Sequence, residues 1–218
     1  MTSPKKRVAI LISGRGSNMM ALVEAARAAD YPAEIALIVS SRPGAAGLAW
    51  AQTQGLPAVA FDHTSYATRE AFDDAVHMAL TEARIDLVAL AGFMRLQSAG
   101  FVARWRGRQL NIHPSLLPLF KGLHPHQQAL DAGVKISGCS VHFVTEEMDS
   151  GPIIAQAAVP VVAGDTAESL SERILRAEHR LYPHALRLVA SGALTPESER
   201  PAAALAPDSA ESLFSPQL

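Results

Sequence analysis

Short, wholly apolar runs alternate with longer stretches of helical periodicity through the first half of the chain. Residues 7–13 (RVAILIS) are apolar across their centre, the pattern of a strand buried on both faces. Residues 18–29 have helical composition, and 34–40 (EIALIVS) form a second apolar run. A helix is predicted over 44–54, stopped by Gly55 and Pro57, followed by a short strand over 58–61. Residues 69–83 set Phe72, Ala75, Val76, Ala79 and Leu80 at helical spacing. Residues 86–91 (DLVALA) read as a third clear strand ended by Gly92, and 109–112 as a fourth running into His113-Pro114. This β-α-β-α order predicts an α/β fold, a parallel sheet covered by helices on both sides.

The pattern changes after about residue 135. Residues 135–144 and 152–162 read as two long strands joined by a polar loop, 145–151, antiparallel and exposed on one side. A long helix over 166–191 is expected to open at Asp165, with Glu168 three residues on as a capping box, and to stop at Gly192. Pro183 falls inside it and predicts a bend or a break. From Thr195 the chain is rich in Pro, Ala, Ser and Glu without periodicity. The expectation is one domain over 1–194 and a mostly disordered tail over 195–218. Internal repeats are absent from the sequence.

Composition narrows the function classes. The chain has 218 residues, 49% of them hydrophobic, a globular rather than disordered balance. Nineteen basic against 21 acidic residues leave a net charge of −2, which argues against a non-specific nucleic-acid binder. The single cysteine, Cys139, excludes an intramolecular disulfide and a Cys-rich zinc site and fits a reducing compartment. The early apolar run 8–12 is far short of the about 18–20 residues a membrane span needs. It follows Lys5-Lys6-Arg7 but ends at Ser13-Gly14-Arg15-Gly16, with no cleavage pattern of a signal peptide. The expectation is a cytoplasmic protein without membrane or nucleic-acid partners. Eight histidines leave open which, if any, does chemistry.

Two segments carry candidate chemistry. Ser13-Gly14-Arg15-Gly16-Ser17-Asn18 lies between strand one and helix one, where an α/β sheet offers backbone N–H groups and a helix N-terminus to an anion. No Gly-Lys-Ser/Thr follows, so it is not a Walker loop. It is also a poor dinucleotide fingerprint, because Met19 stands where a third small residue belongs. Arg42 after strand two keeps an NADP reading open, and an ordinary tight turn is the bland reading. The second segment, Asn111-Ile112-His113-Pro114-Ser115-Leu116-Leu117-Pro118, ends a buried strand. Alternation puts Asn111 and His113 on one side of it. Asn can donate to a developing oxyanion and His can donate or accept a proton; a structural histidine is the alternative.

This second segment resembles the signature of the folate-dependent formyltransferase family. Ser13 to Asn18, Ala91-Gly92-Phe93-Met94-Arg95, Gly122-Leu123-His124 and the run from Ser140 to Pro152 extend the resemblance, in particular to members acting on glycinamide ribonucleotide. It covers about 7–194. It implies a Rossmann-like formyltransferase fold and transfer of a formyl group from the co-substrate 10-formyltetrahydrofolate to the glycine amine of that ribonucleotide, in purine synthesis, without a metal. The family's catalytic trio matches Asn111, His113 and Asp149. Its ribonucleotide phosphate site matches Gly16, Ser17 and Asn18, and its ribose-binding glutamate matches Glu178. Its folate site matches Arg69, Met94, Arg95, Leu96, Gln97, Asn111, and the loop Thr145, Glu146, Glu147, Met148 and Asp149. By residue type alone, Asp149 would be a turn residue, Glu178 a solvated helical charge and Arg69 a surface charge.

Arg15 departs from the small or amide residue of some members, and Leu119-Phe120-Lys121 is given no role. Methionyl-tRNA formyltransferase shares the chemistry, but the tail is too short and polar for its tRNA-binding domain, and the net charge opposes it. Formyltetrahydrofolate deformylase carries a domain before its first catalytic strand, and here strand one starts at Arg7. A nicotinamide-dependent reductase and a non-catalytic binding module are the remaining alternatives. His63, His77, His142, His179 and His184 are expected to be bystanders or supports. His124 and His126, two residues apart, hint at metal until the resemblance gives them a substrate-site context.

Overall fold

A computed structural model describes residues 4–198, 206–209 and 212–215 of the chain. Two compact units divide it, Met1–Asn111 and Ile112–Leu218. In the first, the apolar runs become the parallel strands β1 (Lys6–Ile12), β2 (Ala33–Ser40), β3 (Ala58–Ala60) and β4 (Leu87–Leu90), with β5 (Gln109–His113) beginning there. Residues Val8 to Ile12 are fully buried, as a strand covered on both faces requires. Helices α1 (Ser17–Ala26), α2 (Ala46–Thr53) and α3 (Arg69–Glu82) supply the crossovers. The order is β3-β2-β1-β4-β5, so the winding reverses between β1 and β4. In doubly wound sheets such a reversal opens a crevice at the carboxyl ends of the two strands. The loops leaving those ends are 13–16 and 91–98.

The sequence pattern missed α4 (Ala99–Arg104), a six-residue helix too short to show periodicity. Ser98 caps it by accepting from the Phe101 N–H. Ser98's own N–H donates to the buried Asp73 carboxylate at 2.6 Å, which fastens the start of α4 to α3.

The second unit holds α5 (Pro125–Asp131), the antiparallel pair β6 (Ile136–Phe143) and β7 (Ile153–Pro160), and α6 (Ala167–Ala190). The antiparallel C-terminal strands therefore appear as expected. Register slips between Val141 and His142, where Val141 pairs with Ala155 and His142 with Ile153. Helix α6 runs unbroken through Pro183. Loss of one N–H bond costs about 3 kcal/mol, and Leu181, Tyr182, Ala185 and Leu186, all fully buried around it, offset that. The cap of α6 sits one residue later than expected, at Thr166, in a box with Ser169. Asp165 instead accepts from Val162 N–H and pairs with both terminal nitrogens of Arg173, at 2.7 and 2.9 Å. Of the tail read as disordered, β8 (Ala206–Ser209) and β9 (Ser212–Ser215) are two strands, β9 antiparallel to β7. Residues 199–205, 210–211 and 216–218 lie outside the described residues.

Candidate active site

In the second unit, one carboxylate sits between two imidazoles. His113 closes β5 and is buried. Its Nε2 donates to the Phe120 carbonyl at 2.9 Å, and its Nδ1 faces Asp149 Oδ2 at 3.3 Å. His142 Nδ1 donates to the Phe143 carbonyl at 2.9 Å, leaving Nε2 3.6 Å from Asp149 Oδ1. The Gly122 N–H donates to Asp149 Oδ2 at 3.0 Å. Burial by itself would raise the Asp149 pKa. The His142 ring, the Gly122 amide and the charge of the two imidazoles outweigh it and hold the carboxyl below its ordinary range. Each ring thus has an oxygen beside each of its two nitrogens.

The local backbone explains how the loops deliver these atoms. Asp149, Phe120 and His124 all take positive φ, 51°, 56° and 57°, a region that costs non-glycine residues about 1–2 kcal/mol each. The Phe120 turn aims its carbonyl at His113, and the Asp149 turn aims its carboxylate inward. The slipped register of β6 against β7 falls at His142; such irregularities re-aim side chains beside sites. Lys121 reaches Ser150 Oγ and lies 3.7 Å from Glu147, tying the loop after β5 to the loop before β7. Asp149, Lys121 and Phe143 also line a cavity of about 420 Å³, a size suited to a small organic ligand. Thr145 Oγ1 donates to the Glu147 carbonyl and Ser150 Oγ to the Met148 carbonyl. Glu146, Glu147 and Met148 are exposed.

Glu178, on α6, is 95% shielded at 5% exposure, which removes the reading of a solvated helical charge. It lies close enough to buried Cys139 on β6 to add to the burial that pushes that thiol up. Asn111 is the last residue of the first unit and lies two residues before His113 in β5. It is half-buried and pairs in register with Leu90 of β4.

In the first unit, Gly16 caps α1 at φ 72° without a side-chain cap, and no acidic residue occupies the first turn. No capping side chain or acidic residue offsets the partial positive charge of this helix N-terminus, which suits an anion. Ser17 is half-buried and Asn18 buried, while Gly14, Arg15 and Arg42 are exposed. The small residue this loop needs comes from α2. Gly47 N–H donates to the Gly14 carbonyl at 3.0 Å. A Cβ on Gly47 would lie 2.8 Å from Ile12 Cδ1 and 3.0 Å from the carbonyls of Gly14 and Arg15.

Residues 93–98 have no regular structure yet are held at both ends. Met94 N–H donates to Ser13 Oγ at 2.8 Å. Gln97 and Gln109 exchange amide hydrogen bonds of 3.0 and 2.7 Å. Ser98 is held by Asp73 as described. Between these anchors Met94 and Leu96 remain 65% and 61% exposed, and Arg95 is exposed. The Gln97 side chain is thus committed to Gln109. Arg69 lies 3.8 Å from Glu70 and is half-exposed.

Sequence reasoning passed over Phe120, Gly47 and Ser13 and took His142 as structural. Phe120 acts through its carbonyl, which leaves no side-chain signature. Gly47 could be found only as a glycine inside a helical stretch. Among the described residues no group of three or more His, Cys, Asp and Glu could hold a metal, and no helix is long and apolar enough to cross a membrane. His63 instead bonds the Ser41 carbonyl, and His77 packs edge-on to Trp105.

Comparison with known proteins follows the same lines. Residues 6–186 match the formyl transferase family. The chain is 41% identical over 187 residues to phosphoribosylglycinamide formyltransferase of Escherichia coli K12, covering 86% of this chain and 88% of that one. It is 52% identical over 188 residues to the human trifunctional purine biosynthetic protein adenosine-3, covering 86% of this chain. It spans only 19% of that relative's length. The crystal structure of phosphoribosylglycinamide formyltransferase from Brucella melitensis superposes with a TM-score of 0.83 at 56% identity, over 86% of this chain and 97% of that one.

Proposed function

The chain belongs to the formyl transferase family, and from that premise we infer that it transfers the formyl group of 10-formyltetrahydrofolate to the glycine amine of glycinamide ribonucleotide, a step of purine biosynthesis. The observation that carries the reading is the buried His113–Asp149 pair, 3.3 Å apart, at the end of β5. The amine nitrogen attacks the formyl carbon and forms a C–N bond, and the carbonyl oxygen becomes a tetrahedral oxyanion. Collapse breaks the bond to folate N10, and the proton lost by the amine is the one N10 gains. The Asn111 amide and the His113 ring are the donors to the oxyanion, each worth about 10²–10³ in rate. His113 Nε2 reaches that oxygen by exchanging the Phe120 carbonyl for it. Asp149 keeps the ring oriented and serves the departing proton, directly or through water.

The remaining assignments follow the same reading. Gly16, Ser17 and Asn18 receive the ribonucleotide phosphate at the α1 N-terminus, and Glu178 receives the ribose hydroxyls. Met94, Arg95, Leu96 and Gln97 bind folate chiefly through backbone and the exposed apolar side chains. Thr145 to Met148 present backbone groups to the pterin edge, Asn111 is a further folate residue, and Arg69 and Arg95 meet carboxylates of the folate tail. Small soluble substrates and one reduced, buried cysteine fit a cytoplasmic setting.

The test is formyl transfer from 10-formyltetrahydrofolate to glycinamide ribonucleotide, followed by folate absorbance. Turnover by the wild-type chain is expected, with His113→Ala and Asp149→Asn each lower by about 10²–10³ and unchanged in circular dichroism. Near-normal turnover in both variants would remove the assigned roles, and no transfer by the wild type would remove the function.

A further inference from the structure

We propose that Ser13 is a positioning residue for folate, a strap whose one hydroxyl joins the phosphate loop to the segment that receives the co-substrate. The inference rests on the function proposed above. Ser13 is the first residue after β1, and Met94 lies four residues after β4. Those two strands are the pair between which the winding of the sheet reverses, where ligands bind in this architecture. Ser13 Oγ accepts the Met94 N–H at 2.8 Å and lies 2.7 Å from Ser41 Oγ. Ser13 and Ser41 are both buried, at 5% and 0% exposure. Beside the Met94 amide Ser13 Oγ keeps its own proton and a second lone pair, so either hydroxyl can be the donor in the Ser13–Ser41 bond. Ser13 N–H in turn donates to the Gly92 carbonyl at 3.1 Å.

The consequence lies at Met94. Without regular structure in 93–98, no ladder partner serves its amide, so the hydroxyl does. The other end of the segment is fixed by Gln109 and Asp73. Removing the Ser13 oxygen frees one end of the strip, whereas Ser13 itself stays in place through its own N–H and β1. The loss therefore falls on folate rather than on the ribonucleotide.

Three proteins decide it: wild type, Ser13→Ala and Ser41→Ala. Two readouts are used, steady-state constants for both substrates and amide hydrogen exchange of the peptide covering 93–97 in the ligand-free chain. Ser13→Ala is expected to raise KM for 10-formyltetrahydrofolate about five- to tenfold, the scale of one amide left unpaired. KM for the ribonucleotide and kcat stay within about twofold, and exchange at 93–97 speeds up. Ser41→Ala keeps the Met94 bond and changes folate KM by less than about twofold. Unchanged exchange at 93–97 in Ser13→Ala overturns the strap. So does a folate effect equal in both variants, or a rise shared equally by both substrates. The exchange readout needs no turnover, so it judges Ser13 even if the wild type fails to transfer formyl groups, a result that would count against the proposed function alone.

Discussion

Asp149 shows what a single residue can do with borrowed partners. Its carboxylate is held below the ordinary aspartate range despite burial, because His142, the Gly122 amide and His113 all favour the charged form. Removing one of these partners must raise it again. In His142→Gln the carboxylate of Asp149 is expected to titrate at higher pH, read by carbon NMR of labelled aspartate, and the acid limb of kcat/KM moves upward with it. A titration that stays put would show that His142 contributes nothing to Asp149. In Asn111-Ile112-His113-Pro114, strand alternation and side-chain chemistry left a structural histidine open, and the resemblance to the formyltransferase family supplied the catalytic reading. The second imidazole was not legible, since His142 meets Asp149, 3.6 Å away, across a turn whose path no single-sequence pattern encodes.

Among elements, β1 and β4 could be read almost to the residue, because burial on both faces leaves unbroken apolar runs. What escaped were pieces whose determinants are tertiary. Helix α4 depends on a cap supplied with help from Asp73 of α3. The cap of α6 moved to Thr166 because Asp165 finds a better partner in Arg173. The clearest case is α2, whose role is to let β1's loop pass close by. Gly47→Ala would push a methyl to 3.0 Å from the Gly14 and Arg15 carbonyls, and the backbone must yield. KM for glycinamide ribonucleotide is expected to rise about tenfold or more, with folate KM little changed, since small misplacements at a phosphate loop weaken several amide contacts together. Equal values for Gly47→Ala and wild type would mean that the loop relaxes without cost.

At the scale of the molecule, the near-neutral charge of −2 conceals groups that titrate differently in the folded and unfolded chain. The division into two units falls inside β5, between Asn111 and Ile112, where no linker composition exists to be read. The histidine count is likewise uninformative until burial is known. Burial lowers His126, His179 and His184 from 6.5, with His113 adding to the effect on His126 and Arg187 to that on His184. The unfolded chain then binds more protons just below 6.5, so stability falls as pH drops through that value toward the lowered ones. Asp165, held low chiefly by Arg173, and Asp149 repeat the argument below 3.8, giving a second loss as pH falls further. Asp73 works against them: burial raises it, so the folded chain takes up that proton first and gains stability above 3.8 as pH falls. Denaturant midpoints are therefore expected to decline in two stages on acidification. Replacing His179 and His184 together by Gln should flatten the stage between about pH 7 and 5 and leave the lower one. Asp165→Asn should flatten the lower stage, because its stability is present above 3.8 and lost below it. If the double variant keeps the wild-type slope through the upper stage, those rings are not neutral in the fold and their burial does not govern acid stability.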